Sequence, residues 1–414
     1  MKVATLSIGD ELLTGEVVDT NAGRIARELY GVGLEVRRHL TVGDREEVIA
    51  AALEELAASH DAVIASGGLG PTDDDLTARA AARAAGCRLT VHEDALAHLR
   101  RFAARIGETL HPLNDRQALL PAKASLLPNP FGTACGFTIP LGGARLFFMP
   151  GVPREMAPML VNELLPRLLA NRAGDGAVAT RTLRLFGLPE AEVEARLQGV
   201  LSSDGGVALA YGLEFPDVLL KLRGSGPTPE VVGEALTSAE AAVASVLREY
   251  LVSFDGAPAE AVVGEMLRRS GLTLAVAESC TGGLIAKLLT DRSGSSAYFR
   301  EGMVTYADGA KTRLLGVPAP TLAEHGAVSA ATARAMATGL LQRAGTDLAL
   351  ATTGIAGPGG GSDIKPVGTV FIALATRGST WVKQYRFNGD RDEVRRLTAA
   401  HALDWLRRYL TGRS

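Results

Sequence analysis

The sequence has 414 residues, of which 47% are hydrophobic and 21% charged, and its formal net charge is −3. This composition is typical of a folded globular protein and excludes an intrinsically disordered chain. The near-neutral charge disfavours a general nucleic-acid or membrane-surface binding function, and the length predicts about two or three domains.

The cysteines and the N-terminus bear on the cellular compartment. Cys87, Cys135 and Cys280 are odd in number and lie far apart. This spacing argues against a disulfide framework or a cysteine zinc site and favours a reducing cytoplasm. The first residues resemble a strand entering an acidic turn rather than a signal peptide. No apolar stretch reaches the roughly 18 residues that a membrane span needs. We therefore expect a cytoplasmic protein.

Residues 1–170 alternate short apolar runs with helical patterns. The predicted strands and helices of this part are 3–8, 22–29, 46–58, 62–65 and 76–85, the first and fourth being strands. Strands separated by helices of this length indicate a doubly wound, parallel α/β sheet. The turn-rich segment 171–176 is a predicted linker.

A smaller α+β module is predicted next, within a domain at 171–255. Its predicted strands are 181–186 and 218–222, and its predicted helices are 190–201 and 230–247. The last domain, 256–414, again alternates strands and helices in an α/β/α pattern. Its predicted strands are 273–277, 348–352 and 369–375, and its predicted helices are 284–290 and 330–343.

The segment from Ala277 to Gly283 joins a predicted strand to a predicted helix and contains Ser279. Such turns lie at the carboxyl edge of a sheet, where α/β folds bind ligands. A serine there can be a nucleophile, and helix N-terminal amides can stabilise an oxyanion. In the alternative interpretation, Ser279 or Thr281 merely caps the helix.

Two later segments carry further polar groups. Tyr306 and Lys311 flank a turn, and a desolvated lysine can act as a base toward serine, although both could equally be ordinary structural or surface residues. The glycine-rich segment 352–361 follows another predicted strand and suits a phosphate or ribose, or is simply a mobile loop. Arg391 stands at the start of the last predicted helix, where its positive charge could bind a phosphate.

These segments occur in order with Gly294-Ser295-Ser296, the motif 325–329 and the motif 365–369. Together they resemble the nicotinamide mononucleotide deamidase domain of the CinA family, over nearly all of 258–410. The resemblance implies hydrolysis of nicotinamide mononucleotide to nicotinic acid mononucleotide and ammonia, with no cofactor.

The same resemblance implies roles for individual residues of the C-terminal domain. The catalytic residues would be Ser279, Tyr306 and Lys311, and the substrate-binding residues Thr281, Gly282, Gly283, Thr353, Gly354 and Arg391. Ala307-Asp308 and Gly359 depart from the family pattern. We expect both departures to lie in loops that do not touch the catalytic residues.

The N-terminal part contains Gly67-Gly68-Leu69-Gly70 after a predicted strand, followed by Thr72 and three aspartates at 73–75. Such glycines form a phosphate cradle, and a carboxylate cluster can hold a divalent cation. The aspartates could instead suit only the helix dipole.

With the motifs 9–15, 19–21, 129–134 and 149–156, this segment resembles the molybdopterin-binding-like domain of the CinA family over residues 1–170. The resemblance implies metal-dependent hydrolysis of ADP-ribose to AMP and ribose 5-phosphate. The implied substrate-binding residues are Asn21, Gly67, Gly68, Gly70, Thr72, Asn129, Gly132 and Thr133. The implied ligands of a divalent metal are Asp75, which is favoured, and Asp10, Asp74 and Glu155. Cys135 stands where the family commonly has a proline.

The middle module resembles the KH-like domain of the same family. No Gly-x-x-Gly loop occurs between Arg181 and Ser253, so nucleic-acid binding is disfavoured. The family resemblance implies a homodimer, whereas the composition is what disfavours a membrane partner. The leading hypothesis is a bifunctional pyridine-nucleotide salvage enzyme. The alternatives are an N-terminal module that binds a pterin or nucleotide without hydrolysis, and an interaction protein acting in competence or DNA repair.

Overall fold

The computed structural model describes residues 1–170, 176–201 and 205–412. The predicted linker at 171–176 therefore lies outside the described residues, except for Gly176. The chain divides into two compact units, Met1–Thr180 with Ser225–Gly233, and Arg181–Gly224 with Glu234–Ser414. The predicted domain borders near 170 and 255 stay predictions. Among the described helices, none is long and apolar enough to cross a membrane.

The N-terminal part alternates strands and helices as predicted. Its elements are β1 (Val3–Ile8), α1 (Asp10–Thr14), α2 (Thr20–Gly31), β2 (Val36–Val42), α3 (Glu46–Ser59), β3 (Ala62–Ser66), α4 (Thr77–Ala84), β4 (Leu89–Val91), α5 (Glu93–Ile106), β5 (Leu119–Pro121), β6 (Ser125–Leu127), β7 (Gly136–Leu141), β8 (Ala144–Met149), α6 (Pro153–Met159) and α7 (Leu165–Leu169). A 3₁₀ turn spans Pro112–Ala118, and a π-helical turn spans Leu160–Leu164. The predicted strands and helices of this part are all confirmed, with small differences at their ends.

The main sheet of this part has the order β2-β1-β3-β8-β7-β6. Strands β2, β1, β3 and β8 are parallel, whereas β7 runs antiparallel to β8, and β6 antiparallel to β7. The prediction of a wholly parallel sheet is therefore wrong at this edge. The physical reason is the short turn through Gly142 and Gly143, which joins β7 to β8 without the crossover that parallel strands require.

Both faces of this sheet are covered, as a doubly wound fold requires. On β3, Val63 and Ala65 belong to the core that includes residues of α3 and α4, whereas Ala62 and Ile64 belong to the core that includes residues of α2 and α6. Alternate residues of a strand point to opposite faces, so a short, continuously apolar strand is buried on both sides.

The middle module contains β9 (Ala177–Leu185), α8 (Glu190–Leu197), β10 (Val207–Glu214), β11 (Asp217–Gly226), α9 (Pro229–Leu247) and β12 (Leu251–Ser253). Its sheet has the order β10-β11-β9-β12. The buried Arg184 guanidinium donates to the Asp217 carboxylate at 2.7 Å and to the Glu214 carboxylate at 2.9 Å. This pair of bonds holds β9 against the β10–β11 hairpin.

The C-terminal part contains α10 (Ala259–Ser270), β13 (Leu274–Glu278), α11 (Leu284–Thr290), β14 (Phe299–Val304), α12 (Asp308–Leu315), α13 (Ala319–His325), α14 (Ala330–Ala344), β15 (Leu348–Gly354), β16 (Thr369–Thr376), β17 (Thr380–Arg386) and α15 (Arg391–Leu410). Its sheet has the order β14-β13-β15-β16-β17. Strand β13 is parallel to β14 and β15, and the pairings β15–β16 and β16–β17 are antiparallel. The carboxyl ends of β13, β14 and β15 therefore meet at one edge.

The two faces of this sheet differ in side-chain size. One face presents Leu274 and Val276 of β13 to a core with α10, α11 and α15. The other presents Ala275 and Ala277 of the same strand to a core with α14. Small residues on the second face let α14 approach the sheet closely.

His401 of α15 is surrounded by aromatic rings. Its ring centroid lies 4.8 Å from that of Phe186, 4.7 Å from that of Tyr385 and 5.0 Å from that of Phe387. Burial lowers the pKa of His401 from 6.5 to about 4. The folded protein therefore requires the neutral imidazole.

This burial predicts a loss of stability in mild acid. In the unfolded chain His401 takes up a proton below its ordinary pKa near 6.5, so its stabilising contribution is complete above pH 6.5 and declines as the pH falls toward 4. The loss should reach about 3 kcal/mol below pH 4. Unfolding measured between pH 7.5 and 4 should depend less on pH in His401→Phe than in wild type. An equal pH dependence in His401→Phe, with His325→Gln as the exposed-histidine control, would contradict this assignment.

Candidate functional site

A cavity of 260 Å³ opens at the carboxyl edge of the C-terminal sheet. Six of the residues predicted for this domain line it: Ser279, Tyr306, Lys311, Thr353, Gly354 and Arg391. The register explains the convergence, because Glu278 of β13 pairs with Val304 of β14 and Thr352 of β15. Each of these strands ends just before, or inside, a predicted motif. The predicted residues Thr281, Gly282 and Gly283 do not line the cavity.

Ser279 follows β13 directly and is 8% exposed. Its backbone N–H donates to the Thr352 carbonyl at 3.0 Å, and its carbonyl accepts from the Gly282 N–H at 3.2 Å. The backbone is thus fixed on both sides of the residue. Within the part of the chain that the structure describes, the Ser279 hydroxyl has no hydrogen-bond partner. The hydroxyl is therefore available to a bound molecule.

The helix after this turn is capped by Glu278, not by Ser279 or Thr281. The Glu278 carboxylate is 1% exposed and accepts from the N–H groups of Gly283 at 3.0 Å, Ile285 at 3.1 Å and Ala286 at 2.8 Å. The interpretation of Ser279 or Thr281 as the helix cap is therefore wrong. Thr281 instead shares a hydrogen bond of 2.8 Å with Thr352.

The same bonds correct the expected oxyanion site. The Gly282 N–H donates to Ser279, and the Gly283 N–H donates to Glu278. Both amides are satisfied inside the protein, so the expectation that these two amides receive an oxyanion is wrong. Their glycines serve the turn itself, since their φ angles of 62° and 93° lie in the left-handed region.

Lys311 is the buried lysine of the site. Its side chain is 1% exposed, and its Nζ donates to the Tyr306 carbonyl at 3.0 Å. A carboxylate oxygen of Asp308 lies 3.5 Å from the same Nζ. Asp308 is also the first residue of α12. The expectation that this departure lies in a loop away from the catalytic residues is therefore wrong.

Arg391 lies at the exposed side of the cavity and bonds two groups of the cavity wall. The guanidinium donates to the Tyr306 hydroxyl at 2.8 Å and to the Gly357 carbonyl at 2.7 Å. Because the Tyr306 oxygen accepts this bond, its own hydrogen can be donated to another group. Thr353 is buried, and its hydroxyl donates to the Ala327 carbonyl at 2.7 Å. Thr353 thus fixes the cavity wall.

Cys280 also lines this cavity but cannot serve as a thiolate nucleophile near neutral pH. Burial raises the pKa of its thiol to about 12. A nucleophilic cysteine needs the thiolate form, which a dry environment disfavours. The cavity thus favours the Ser279 hydroxyl over the Cys280 thiol as the nucleophile, and Lys311 lines the same cavity.

Part of the cavity wall was not assigned from the sequence. The additional lining residues are Ala327, Val328, Ile355, Ala356, Gly357, Gly359 and Gly360. The glycine-rich segment 352–361 was the available signal for most of them. Gly359, a departure from the family pattern, lines the cavity as well, with open space where its side chain would be.

A second cavity, of 520 Å³, lies within the N-terminal unit. The predicted residues that line it are Asn21, Gly67, Gly68, Gly70, Asp74, Asp75, Thr133 and Glu155. Gly67 follows β3 with φ 113°, and a β-carbon there would collide with the Ile8 carbonyl. This position therefore requires glycine. Thr72, Asn129, Gly132 and Asp10 do not line this cavity.

Asp75 closes the glycine loop. One of its carboxylate oxygens accepts from the Gly70 N–H at 2.7 Å, and the other from the Thr72 N–H at 2.9 Å and hydroxyl at 2.6 Å. These bonds fold residues 70–75 into a compact turn. The favoured metal ligand from the sequence thus has a loop-closing role in the structure.

Other predicted binding residues hold the neighbouring loop. The Asn129 side chain accepts from the N–H groups of Phe131 and Gly132 and donates to the Ala134 carbonyl and the Glu155 carboxylate. Asn129 is completely buried. Asn129 and Glu155 therefore organise this loop, and the Glu155 carboxylate is partly engaged.

The carboxylates do not form a preassembled metal site. Within residues 1–170, 176–201 and 205–412, no group of three or more His, Cys, Asp or Glu side chains is arranged to hold a metal ion. The predicted ligands Asp10, Asp74, Asp75 and Glu155 are thus not brought together as one ligand set. As placed, they offer a divalent cation at most two carboxylate ligands, which the phosphates of a bound nucleotide would have to supplement.

Asp44 is an acidic residue of this cavity that the sequence did not reveal. Burial raises the pKa of its carboxyl, and the carboxylates of Asp10, Glu11 and Asp74 raise it further, although a bond from the Asp10 N–H lowers it. Asp44 follows β2, a strand missing from the sequence prediction. Without that strand nothing placed Asp44 beside Asp10.

The fold and cavities define a class of protein: a molybdopterin-binding-like α/β domain and a C-terminal α/β/α domain, with a KH-like module between them in sequence. Three family models match the chain in this order: probable molybdopterin binding domain at 4–170, damage-inducible protein CinA KH domain at 180–253, and CinA C-terminal domain at 236–410.

The chain belongs to the CinA family. It is 58% identical over 410 residues to a CinA-like protein of Geobacter sulfurreducens, with 99% of each chain covered. It is 56% identical over 410 residues to a CinA-like protein of Geobacter metallireducens, again with 99% of each covered. A solved competence-damaged protein (CinA) superfamily protein from Klebsiella pneumoniae is 40% identical, with 37% of this chain and 96% of that chain covered and a TM-score of 0.36.

The cap made by Glu278 predicts a large stability effect. In Glu278→Ala, three N–H groups lose a charged acceptor, so the free energy of unfolding should fall by about 2–4 kcal/mol. Asp291→Ala removes an exposed ion pair with Lys287 at the other end of the same helix and should cost at most about 0.5 kcal/mol. Denaturant unfolding of both variants measures the difference. Equal, small losses would contradict the capping role.

Proposed function

We propose that the C-terminal domain hydrolyses the carboxamide of nicotinamide mononucleotide, releasing ammonia and nicotinic acid mononucleotide. The observation that carries this proposal is the meeting of Ser279, Tyr306 and Lys311 at one cavity, with the Ser279 hydroxyl unengaged among the described residues. The cavity volume of 260 Å³ lies just below the range of about 300–1,000 Å³ that is usual for ligand sites. A small group such as a carboxamide on a ring suits it.

In the proposed first step, Lys311 acts as the base that takes the Ser279 proton, and the Tyr306 hydroxyl relays that proton. The Ser279 oxygen then attacks the carboxamide carbon. The proton held by Lys311 passes to the nitrogen, the carbon–nitrogen bond breaks, and ammonia leaves. A serine ester of the substrate acid remains on the enzyme.

In the second step, water replaces ammonia. Lys311 takes a proton from the water, whose oxygen attacks the ester carbon. The bond to Ser279 breaks, and the serine oxygen recovers a proton. The Tyr306 hydroxyl supports both steps as a donor near the reacting oxygen, since its own oxygen accepts from Arg391.

The phosphate of the substrate would meet Arg391 at the exposed side of the cavity. A guanidinium has five N–H donors, and bonds to Tyr306 and Gly357 leave others for an anion. The carbonyls and amides of the glycine-rich wall are suited to the ribose. With Ser279 at the buried end and Arg391 at the open end, the substrate would bind with its carboxamide toward Ser279 and its phosphate toward Arg391.

The shared role of Ser279 and Lys311 predicts non-additive losses. Ser279→Ala and Lys311→Ala should each lower kcat for ammonia release from nicotinamide mononucleotide by ~10³-fold or more, and the double variant should lose little beyond either. Lys287→Ala, which changes an exposed lysine of the same domain, should retain wild-type rates. Multiplicative losses in the double variant would show that the two residues act independently.

For the N-terminal domain we propose hydrolysis of ADP-ribose to AMP and ribose 5-phosphate as a second activity. The 520 Å³ cavity with its glycine loop supports the binding of a nucleotide, because backbone amides at such turns suit phosphate groups. A divalent metal at this site remains part of the proposal. The competing function is binding of a pterin or nucleotide without hydrolysis.

Removal of metal ions by a chelator distinguishes ADP-ribose hydrolysis from binding without hydrolysis in the N-terminal domain. ADP-ribose hydrolysis should stop in excess chelator and return when a divalent ion is added, whereas ammonia release by the C-terminal domain should be unaffected. Product analysis for AMP and ribose 5-phosphate measures the effect. Binding of ADP-ribose with no turnover under any metal condition would favour the binding module, and full hydrolysis in chelator would remove the metal from the proposal.

A further inference from the structure

The turn at residues 279–283, here called the Ser279 turn, is held by bonds from several directions. Thr352 of strand β15 makes two of these bonds. Its carbonyl accepts from the Ser279 N–H, and its hydroxyl shares a hydrogen bond with the Thr281 hydroxyl. Glu278 holds its far end through the Gly283 N–H. The carbonyl of Thr281 lies between these anchors and accepts from the Leu284 N–H at 3.3 Å, a long bond that leaves room for a second donor.

Arg395 is that donor, and the sequence prediction did not include it. Its guanidinium reaches the Thr281 carbonyl with two nitrogens, Nη2 at 2.9 Å and Nε at 3.3 Å. A β-carbon at Gly282 would lie 3.6 Å from Arg395 Nη2, so the guanidinium sits directly against the turn. Two N–H groups directed at one carbonyl fix the orientation of the peptide between Thr281 and Gly282.

Helix α15 sets the position of Arg395. The helix begins with a capping box, in which the Asp390 carboxylate accepts from the Glu393 N–H at 2.9 Å and the Glu393 carboxylate accepts from the Asp390 N–H at 2.8 Å. Arg391, one turn before Arg395, lines the cavity. The same helical segment therefore contacts both the cavity and the Ser279 turn.

Arg396, the next residue, has a different environment. Its guanidinium lies 5.0 Å from the ring centroid of Phe215 and donates to the Phe215 carbonyl. Arg396 therefore carries the same charge as Arg395 and lies on the same helix, but it does not contact the Ser279 turn. It is a matched control for a substitution at Arg395.

We propose that Arg395 is a positioning residue that sets the Ser279 nucleophile, an inference that rests on the amidase function proposed above. Arg395 contacts the backbone of the turn, two residues after the nucleophile. Its removal leaves the Thr281 carbonyl with only the long bond from the Leu284 N–H, so the Thr281–Gly282 peptide can rotate and the Ser279 hydroxyl shifts from the line of attack. Binding groups at the other end of the cavity are untouched, so the rate of the chemical step falls while substrate affinity is kept.

The test combines kinetics with amide hydrogen exchange on the full chain. Arg395→Ala should lower kcat for ammonia release from nicotinamide mononucleotide by about 10–100-fold, since small misplacements of a reacting group cost this much, with KM within about twofold of wild type. Arg395→Lys, which supplies a single-point donor, should fall between wild type and Arg395→Ala. Exchange at the Gly282 and Gly283 amides should be faster in Arg395→Ala. Arg396→Ala should leave kinetics and exchange at wild-type values.

Other results would overturn the inference. A raised KM with unchanged kcat would show that Arg395 contacts the substrate. Equal effects of Arg395→Ala and Arg396→Ala would show that only the positive charge of the helix matters. If wild type released no ammonia, the amidase proposal would fail, yet hydrogen exchange would still decide whether Arg395 holds the turn. Unchanged exchange at Gly282 and Gly283 would contradict the positioning role in either case.

Discussion

The parallel pairing of β13 with β14 on one side and β15 on the other is the constraint on which the C-terminal site depends. Because Glu278 pairs with both Val304 and Thr352, β13 and β14 end at the same level, and β15 ends two residues further on. Ser279 and Thr353 lie 74 positions apart in the sequence, with Tyr306 between them, yet all three line the cavity at this edge. A register shift in either pairing would turn these side chains to the opposite face of the sheet.

Around that edge the protein uses ionic groups to hold backbone. Glu278 caps a helix through three N–H groups, and Arg395 donates to the Thr281 carbonyl. Burial in a dry environment strengthens such bonds and makes their loss costly. Because Glu278 caps the helix, the Ser279 side chain is not needed as a cap, and the Ser279 turn can direct the Ser279 hydroxyl into the cavity. Lys311 is likewise held by the carbonyl of Tyr306, so the groups of the site are placed before a substrate arrives.

The sequence predicted those parts of the fold and site that depend on local pattern. Apolar runs between helices identified β1, β3, β13, β15 and β16, and glycines after strands identified both cavities. Contacts between distant segments were not predictable in this way. Asp75 was a plausible metal ligand because an aspartate after glycines suits a cation, but whether its oxygens close a loop depends on the path of residues 70–75. For the same reason Asp308 was expected to lie away from the catalytic residues and Arg395 was not considered, since their partners are known only once helices α12 and α15 are placed.

The proposed mechanism forms a covalent intermediate on Ser279, which mass spectrometry of the peptide containing Ser279 can detect. Wild-type enzyme would be mixed with nicotinamide mononucleotide, quenched in acid during the first turnover and digested. The peptide containing Ser279 should carry the acyl group of nicotinic acid mononucleotide as an ester, and this species should disappear as the substrate is consumed. Ammonia released in the first turnover while that peptide stays unmodified, or an acyl group found on Cys280, would contradict it.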